Sequence, residues 1–416
     1  MTAAILCTGT ELTRGELVNT NATWLAEELT SLGFEVGAVD CVDDDRERIR
    51  RALTRLGSEH EVVLCTGGLG PTTDDLTTEC VAGLLGVPLV RDAASLEHIR
   101  ALLARFGRGM APSNEKQADF PQGATIVPNP RGTAPGFYVR IGRALAFFFP
   151  GVPHEMKAMF RETAVPVLAP LVQGSHHQLR LRCFGLPESE VNDRLSGVEA
   201  EFDVNIGYRA SFPEIEVKVL ARAANPADAK QRAEAATRVV RERLGDAVFG
   251  EGTTTYAESL LTLLGERGAT LSLAESCTGG LIAEMLTRVP GSSRTFLGGA
   301  VAYANEAKTA LLGVDAAAIA THGAVSEPVA RAMAEGARAR FGSTLSLSVT
   351  GIAGPDGGTP EKPVGLVHFA VADARGPSAE HVRTGGTREQ VRVRAAYIGL
   401  RLIRRVLLNG HEAGGD

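Results

Sequence analysis

The chain runs to 416 residues, 44% hydrophobic and 22% charged, with a mean hydropathy of +0.02 and a formal charge of −6. It is too long for one ordinary domain and suits about two to four, and no apolar run approaches the ~20 residues that a membrane helix needs. The acidic balance argues against nucleic acid as the main partner, and six cysteines without a CxxC pair or a Cys/His cluster read as reduced core thiols.

The start, Met1-Thr2-Ala3-Ala4-Ile5-Leu6-Cys7, has no basic region and enters strand-like sequence at once, so a cytoplasmic protein is expected. Apolar runs at 3–7, 35–42 and 61–65 alternate with helical patterns at 20–32, 45–56 and 73–85, the order of a parallel α/β sheet. Runs at 137–141 and 144–149 flank Gly142-Arg143 and predict a hairpin, followed by a helix that holds His154-Glu155-Met156. Two polar loops follow the first and third strands. One contains Gly9-Thr10-Glu11-Leu12, the other Thr66-Gly67-Gly68-Leu69-Gly70-Pro71-Thr72-Thr73-Asp74-Asp75. Both lie at the carboxyl edge of the sheet, where glycines let phosphate approach. Glu11, Asp74 and Asp75 there offer oxygens to a hard divalent cation that bridges to phosphate. The local pattern leaves another reading open, that Thr73-Asp74-Asp75 caps a helix.

A boundary is expected near 168–175, with His176-His177 in exposed linker. The middle segment opens with a strand at 178–183 and a helix at 188–195. It continues with Glu214-Ile215-Glu216-Val217-Lys218-Val219, whose alternation marks a half-buried antiparallel strand, and an amphipathic helix at 227–244. That is a small α+β module of KH-like size and order. It lacks the Gly-x-x-Gly loop with which a nucleic-acid-binding KH module clamps backbone, so it reads as a spacer or dimerisation element, without direct nucleic-acid contact.

A second boundary falls around 250–254, and the last segment is again α/β, with strands at 270–274, 298–303, 345–350 and 366–372. Helices are expected at 259–266, 328–341 and 388–408. Ser276 stands after the first of these strands and before a helix opened by Thr278-Gly279-Gly280, where unpaired amides favour an anion, either an oxyanion or a phosphate. The alternative there is a plain N-cap. A serine nucleophile needs a base, and Lys308 in Tyr303-Ala304-Asn305-Glu306-Ala307-Lys308 is the candidate, since burial lowers a lysine pKa and Ser–Lys pairs are a variant of the triad. By itself Lys308 also fits a solvated helix lysine. Thr350-Gly351-Ile352-Ala353-Gly354-Pro355 follows another strand and reads as a ligand cradle or as a tight connection.

These runs, in this order, resemble the CinA family (competence/damage-inducible protein A) along essentially the whole chain. The C-terminal part resembles the PncC-like nicotinamide-nucleotide amidase domain, and the N-terminal part the MogA/MoeA-like molybdopterin-binding domain. The resemblance implies an α/β multidomain protein: a molybdopterin-binding-like α/β domain at 1–170, a KH-like α+β domain at 175–250 and an α/β amidase domain at 254–416. It implies hydrolysis of nicotinamide mononucleotide to nicotinic acid mononucleotide and ammonia, with Ser276 as nucleophile, Lys308 as base and Tyr303 assisting, and no cofactor. Cys277, Thr278, Gly279, Gly280, Asn305, Thr350, Gly351, Ala353 and Gly354 are the expected substrate contacts.

For the N-terminal domain the resemblance implies an ADP-ribose pyrophosphatase that uses a divalent ion (Mg, Mn or Co). Glu11, Gly67, Gly68, Thr73, Asp74, Asn114 and Gly132 would form that site, with Asp75 and Glu11 on the metal. A homodimer is expected from the middle module and the family. The alternatives are a role as a partner of competence or recombination proteins, and an N-terminal domain that only binds a pterin or nucleotide.

Overall fold

The computed structural model describes residues 1–107, 109–172 and 174–409. They divide into two units, Met1–Gln178 with Ala221–Arg232, and Leu179–Leu220 with the chain from Ala233 onward. In the first unit the strand Thr2–Thr8 is buried everywhere but at its first residue, as a strand covered on both faces must be. Ala4 and Leu6 enter the core beneath the helices Arg46–Glu59 and Thr77–Leu85, whereas Ala3, Ile5 and Cys7 enter the opposite core beneath Thr20–Leu32. That is the two-residue period of a pleated strand.

Thr2–Thr8 lies between Glu35–Val42 and Val62–Thr66, parallel to both, and Val62–Thr66 pairs in parallel with Ala144–Phe149. The parallel run ends there. Ala144–Phe149 forms an antiparallel hairpin with Gly136–Ile141, and Thr125–Val127 closes the edge, so the sheet is mixed. Gly142 in the hairpin has φ 58°, and a Cβ there would sit 2.7 Å from the Gly57 carbonyl, so both conformation and space call for glycine.

Two expectations fail in this unit. The helix expected from residue 73 begins at Thr77, because residues 72–75 form a turn of their own in which the Thr72 amide donates to Asp75 Oδ2 at 2.9 Å. Thr73-Asp74-Asp75 is therefore not a helix cap. His176 and His177, expected in exposed linker, are half-buried in the strand Ser175–Cys183, and the His176 ring meets the Ser31 carbonyl.

The middle sheet is ordered Val204–Ser211, Glu214–Ala223, Ser175–Cys183, Val248–Glu251. Alternation at 214–219 predicts one solvated face, yet Glu214 and Glu216 are only 5% and 4% exposed. Arg182 Nε donates to Glu214 Oε2 at 3.0 Å, and the Tyr397 hydroxyl to Glu214 Oε1 at 2.7 Å. Arg180 and Arg209 approach Glu216 at 3.7 and 3.5 Å. Partners of this kind are what lets a carboxylate be buried at all.

The third sheet is ordered Phe296–Val301, Leu271–Glu275, Leu345–Gly351, Leu366–Asp373, Gly376–Arg383, the first three parallel and the last two antiparallel. Tyr256–Glu266, Leu281–Thr287 and Arg388–Asn409 cover one face, Asn305–Leu312 and Glu327–Phe341 the other. Hydroxyls tie the central strand to the second layer: Ser346, Ser348 and Thr350, at every other position, donate to the carbonyls of Ala334, Ala330 and Ala324 at 2.6, 2.6 and 2.9 Å. All six cysteines are unbridged. No helix among the described residues is long and apolar enough to cross a membrane.

Candidate active site

Leu271–Glu275 has Phe296–Val301 on one side and Leu345–Gly351 on the other, all three parallel. Their carboxyl ends therefore open at one edge, and that edge carries Ser276, the 303–308 segment and the 350–354 loop. Ser276 is 7% exposed and is pinned where its amide donates to the Val349 carbonyl at 2.9 Å. Lys308, in the first turn of Asn305–Leu312, is 1% exposed. Its Nζ lies 3.1 Å from Ser276 Oγ, 2.9 Å from the Ala302 carbonyl and 3.1 Å from the Tyr303 carbonyl.

Those three contacts define what the lysine can do. A neutral amine has two N–H bonds and one lone pair; with both N–H bonds on the two carbonyls, the lone pair faces the Ser276 hydroxyl. Burial lowers the Lys308 pKa below its ordinary 10.5, although Glu306 opposes the shift, and so favours the neutral form. The adjacent Cys277 is not a rival nucleophile: burial pushes its thiol up to about 12, so it stays protonated.

The helix amides expected around the Ser276 hydroxyl are engaged elsewhere. Glu275, 1% exposed, accepts from the amides of Gly280, Ile282 and Ala283 at 3.0, 3.1 and 2.8 Å. A carboxylate at a helix N-terminus satisfies the orphan donors and complements the dipole, so Ser276 neither caps this helix nor draws on its amides. The chain reaches the helix through Gly279 and Gly280, at φ 62° and 91°, conformations that exclude most side chains.

Other expected contacts separate. The Tyr303 side chain is 58% exposed, and its hydroxyl accepts from Arg388 Nη2 at 2.7 Å; what this residue presents to Lys308 is its carbonyl. Asn305 is exposed. Thr350 is buried with its hydroxyl donating to Ala324, as one rung of the ladder to the second layer rather than as a group offered to substrate. Thr278 is fully buried, and its Oγ1 has no hydrogen-bond partner. Gly351 is half-buried, and Ala353 and Gly354 are buried, with the Gly354 carbonyl accepting from Arg388 Nη1 at 2.7 Å. Arg388 thus joins the tyrosine segment to the 350–354 loop, and Arg392, one turn on, donates to the Thr278 carbonyl at 2.8 Å.

The first unit has an open pocket of about 360 Å³ at the carboxyl edge of its sheet, lined by Glu11, Gly67, Gly68, Asp74 and Asp75 and also by Asp44, Gln117 and Glu155. Gly67 has φ 107°, and a side chain there would strike the Thr8 carbonyl. Asp44 Oδ2 holds the first loop by accepting from the Thr10 amide and hydroxyl at 2.8 and 2.9 Å. Lys116 clamps the 72–75 turn through the Asp75 carbonyl at 3.1 Å and the Thr72 carbonyl. Asp74 is held below the usual carboxylate range, chiefly by the neighbouring Thr72 side chain.

Thr73, Asn114 and Gly132 do not line this pocket. Asn114 stands behind Gln117, donating to its Oε1 at 3.2 Å, and Gly132 leaves room for the Glu155 carboxylate. Among the described residues no three His, Cys, Asp or Glu side chains converge as a ligand cluster. Carboxylates spread around the rim suit a cation held by one or two of them together with phosphate oxygens, not a closed protein cage.

Three family patterns match in succession: the probable molybdopterin binding domain over residues 4–170, the damage-inducible protein CinA KH domain over 178–250, and the CinA C-terminal domain over 253–407. A CinA-like protein of Citrifermentans bemidjiense is 46% identical over 416 residues, covering 100% of both chains. The chain belongs to the CinA family. A CinA-like protein of Anaeromyxobacter sp. (strain K) is 45% identical over 98% of this chain and 100% of its own. Among solved structures, a competence/damage inducible protein of Agrobacterium tumefaciens is 41% identical and covers 36% of this chain and 93% of its own, with a TM-score of 0.36.

In this CinA chain the groups that sequence reasoning missed are Glu275, Arg388 and Arg392 at one site and Asp44 at the other. Signals existed for some. Arg388 and Arg392 are four apart and so share a helix face. Lys116, Gln117 and Glu155 lie in the runs 113–118 and 150–156, which the family resemblance implies line the same pocket; Gln117 and Glu155 do line it, and Lys116 holds the 72–75 turn.

Proposed function

We propose that the C-terminal domain is a serine amidohydrolase that converts nicotinamide mononucleotide to nicotinic acid mononucleotide and ammonia. The observation that carries this reading is the buried Ser276 Oγ to Lys308 Nζ contact of 3.1 Å, with the lysine's other two contacts on carbonyls. Ser276 Oγ attacks the carboxamide carbon, forming the C–O bond as its proton passes to Lys308 Nζ. Collapse of the tetrahedral intermediate breaks the C–N bond, and Lys308 returns the proton to the departing ammonia. Water, deprotonated by Lys308, then attacks the ester carbon; the bond from that carbon to Ser276 Oγ breaks, Lys308 returns the proton to Oγ, and the acid leaves and ionises. Arg388 and Arg392 are the cations at this edge that would offset the charge of the nucleotide phosphate.

For the N-terminal domain the reading is hydrolysis of the pyrophosphate of ADP-ribose. The glycines at 67 and 68 admit the pyrophosphate to the backbone, while Asp44 and Lys116 fix the two loops. A divalent ion would be held by Asp75 and Glu11 and would neutralise phosphate charge.

Ammonia release from nicotinamide mononucleotide, measured with chelator present, tests the first reading, and divalent-dependent production of AMP from ADP-ribose tests the second. Ammonia release that survives the chelator supports the amidase assignment. A wild-type chain that releases none overturns it.

A further inference from the structure

A second cavity, of about 420 Å³, lies within the second unit, and no residue of the candidate amidase site lines it. Its wall carries five arginines, Arg194, Arg243, Arg401, Arg404 and Arg405, against two acids, Glu242 and Asp246, in a chain whose net charge is −6. Three of the five have acidic neighbours: Arg405 pairs with Glu380 at 2.5 Å, Arg194 with Glu190, and Arg243 lies 3.9 Å from Glu201.

Arg401 and Arg404 differ. Both are half-buried, and among the described residues neither forms an ion pair. Arg404 reaches only the carbonyls of Asp246 and Val248, each at 3.3 Å. The Arg401 guanidinium stands 5.9 Å from the centre of the Phe184 ring. Gly185, at φ 97°, is what leaves room for it, since a side chain there would run into its Nη1. Partly desolvated cations without counter-charges are costly unless an anion joins them.

Behind the lining Phe184, at 6.1 Å between ring centres, stands Tyr256, which does not itself line the cavity. Tyr256 is 1% exposed, and its hydroxyl has no hydrogen-bond partner. Burial pushes that hydroxyl up to about 12 against the pull of Arg404 and Arg401, the two cations that act on it. An orphan phenol is an unmet donor, and here it lies within electrostatic reach of both unpaired arginines.

We propose that this cavity binds a small phosphate-bearing anion, gripped by the Arg401 and Arg404 guanidinium groups. Two guanidinium forks offer more donors than a carboxylate's two oxygens can take, whereas a phosphate presents three. The volume suits a pyrophosphate or a phosphomonoester up to mononucleotide size. The site is separate from Ser276 and stands or falls without the amidase reading.

The test is calorimetric titration of the full chain with inorganic pyrophosphate, on wild type and on Arg401→Gln and Arg401→Lys. Among the described residues Arg401 makes no hydrogen bond to the protein, so folding should survive; melting curves check it. One class of sites is expected to weaken roughly tenfold or more in Arg401→Gln and by less in Arg401→Lys. Ammonia release from nicotinamide mononucleotide should be unchanged in Arg401→Gln. Wild type that binds no pyrophosphate, or an Arg401→Gln isotherm that superimposes on wild type, overturns the proposal.

Discussion

The two candidate sites sit at equivalent places, the carboxyl ends of parallel strands, yet they are built differently. Around Ser276 the reacting groups are buried and already in contact, and each is held by backbone: Ser276 through Val349, Lys308 through the carbonyls of Ala302 and Tyr303. In the first unit the carboxylates rim an open pocket and their hydrogen bonds hold loops: Asp44 on Thr10, Asp75 on Thr72 and Glu155 on Asn129. One site has its chemistry assembled before substrate arrives. On the proposed reading, the other gathers it around phosphate. An amide hydrolase needs a positioned nucleophile and base, whereas cleavage of a pyrophosphate depends mainly on charge brought to the phosphate oxygens.

The largest effect that sharpens this contrast is expected from Lys308→Met, which removes the base and leaves an apolar stem. The turnover of nicotinamide mononucleotide should fall by about 10³-fold or more, with ADP-ribose turnover unchanged in the same preparation. The reciprocal variant, Asp75→Ala, should lower ADP-ribose turnover about 10- to 100-fold by loosening both the 72–75 turn and its cation, and leave ammonia release alone. If both activities fell together, the two sites would not be separate. Glu275→Gln, which keeps the shape but removes the charge from three buried amide contacts, should cost about 1–3 kcal/mol of stability, read by denaturant melts.

The pH dependence follows from the sign of the Lys308 shift. Burial lowers its pKa, and the neutral amine is the base, so kcat/KM for the amidase should climb with pH along a limb centred below the ordinary lysine value of 10.5. Stability moves the same way. The folded chain gives up this proton more readily than the unfolded one, so Lys308 destabilises the fold below its folded pKa, and the penalty fades as pH rises toward the unfolded value. A pH profile of kcat/KM without that limb would exclude Lys308 as the base. The smallest effect is expected from Tyr303→Phe: its hydroxyl meets Arg388 and not Ser276, so KM should rise about 2- to 10-fold with kcat nearly kept.

Part of this was legible in the sequence. Ser276, Lys308 and the 350–354 loop are far apart along the chain, but each follows an apolar run with the pattern of a strand. In a parallel sheet such loops share an edge, and the strand order puts all three on neighbouring strands. What stayed hidden depends on contacts made at a distance. Glu275 reads as the end of a strand, and only the path through Gly279 and Gly280 turns its carboxylate onto the helix amides. Thr350 reads as the start of a ligand loop until its hydroxyl is seen to join those of Ser346 and Ser348 in bonding the layer above the strand. Gly376–Arg383 forms a strand with almost no apolar alternation, held by its pairing with Leu366–Asp373. Glu214 and Glu216 mimic a solvent face because the arginines and Tyr397 that cover them come from other segments.

The most direct test of the account is ammonia release from nicotinamide mononucleotide by Ser276→Ala beside wild type, with chelator present and folding checked by melting. The account predicts wild-type turnover that the chelator does not touch and a loss of about 10³-fold or more in the folded variant. A Ser276→Ala chain that keeps wild-type turnover would contradict it and leave Ser276 as a structural residue at the end of its strand.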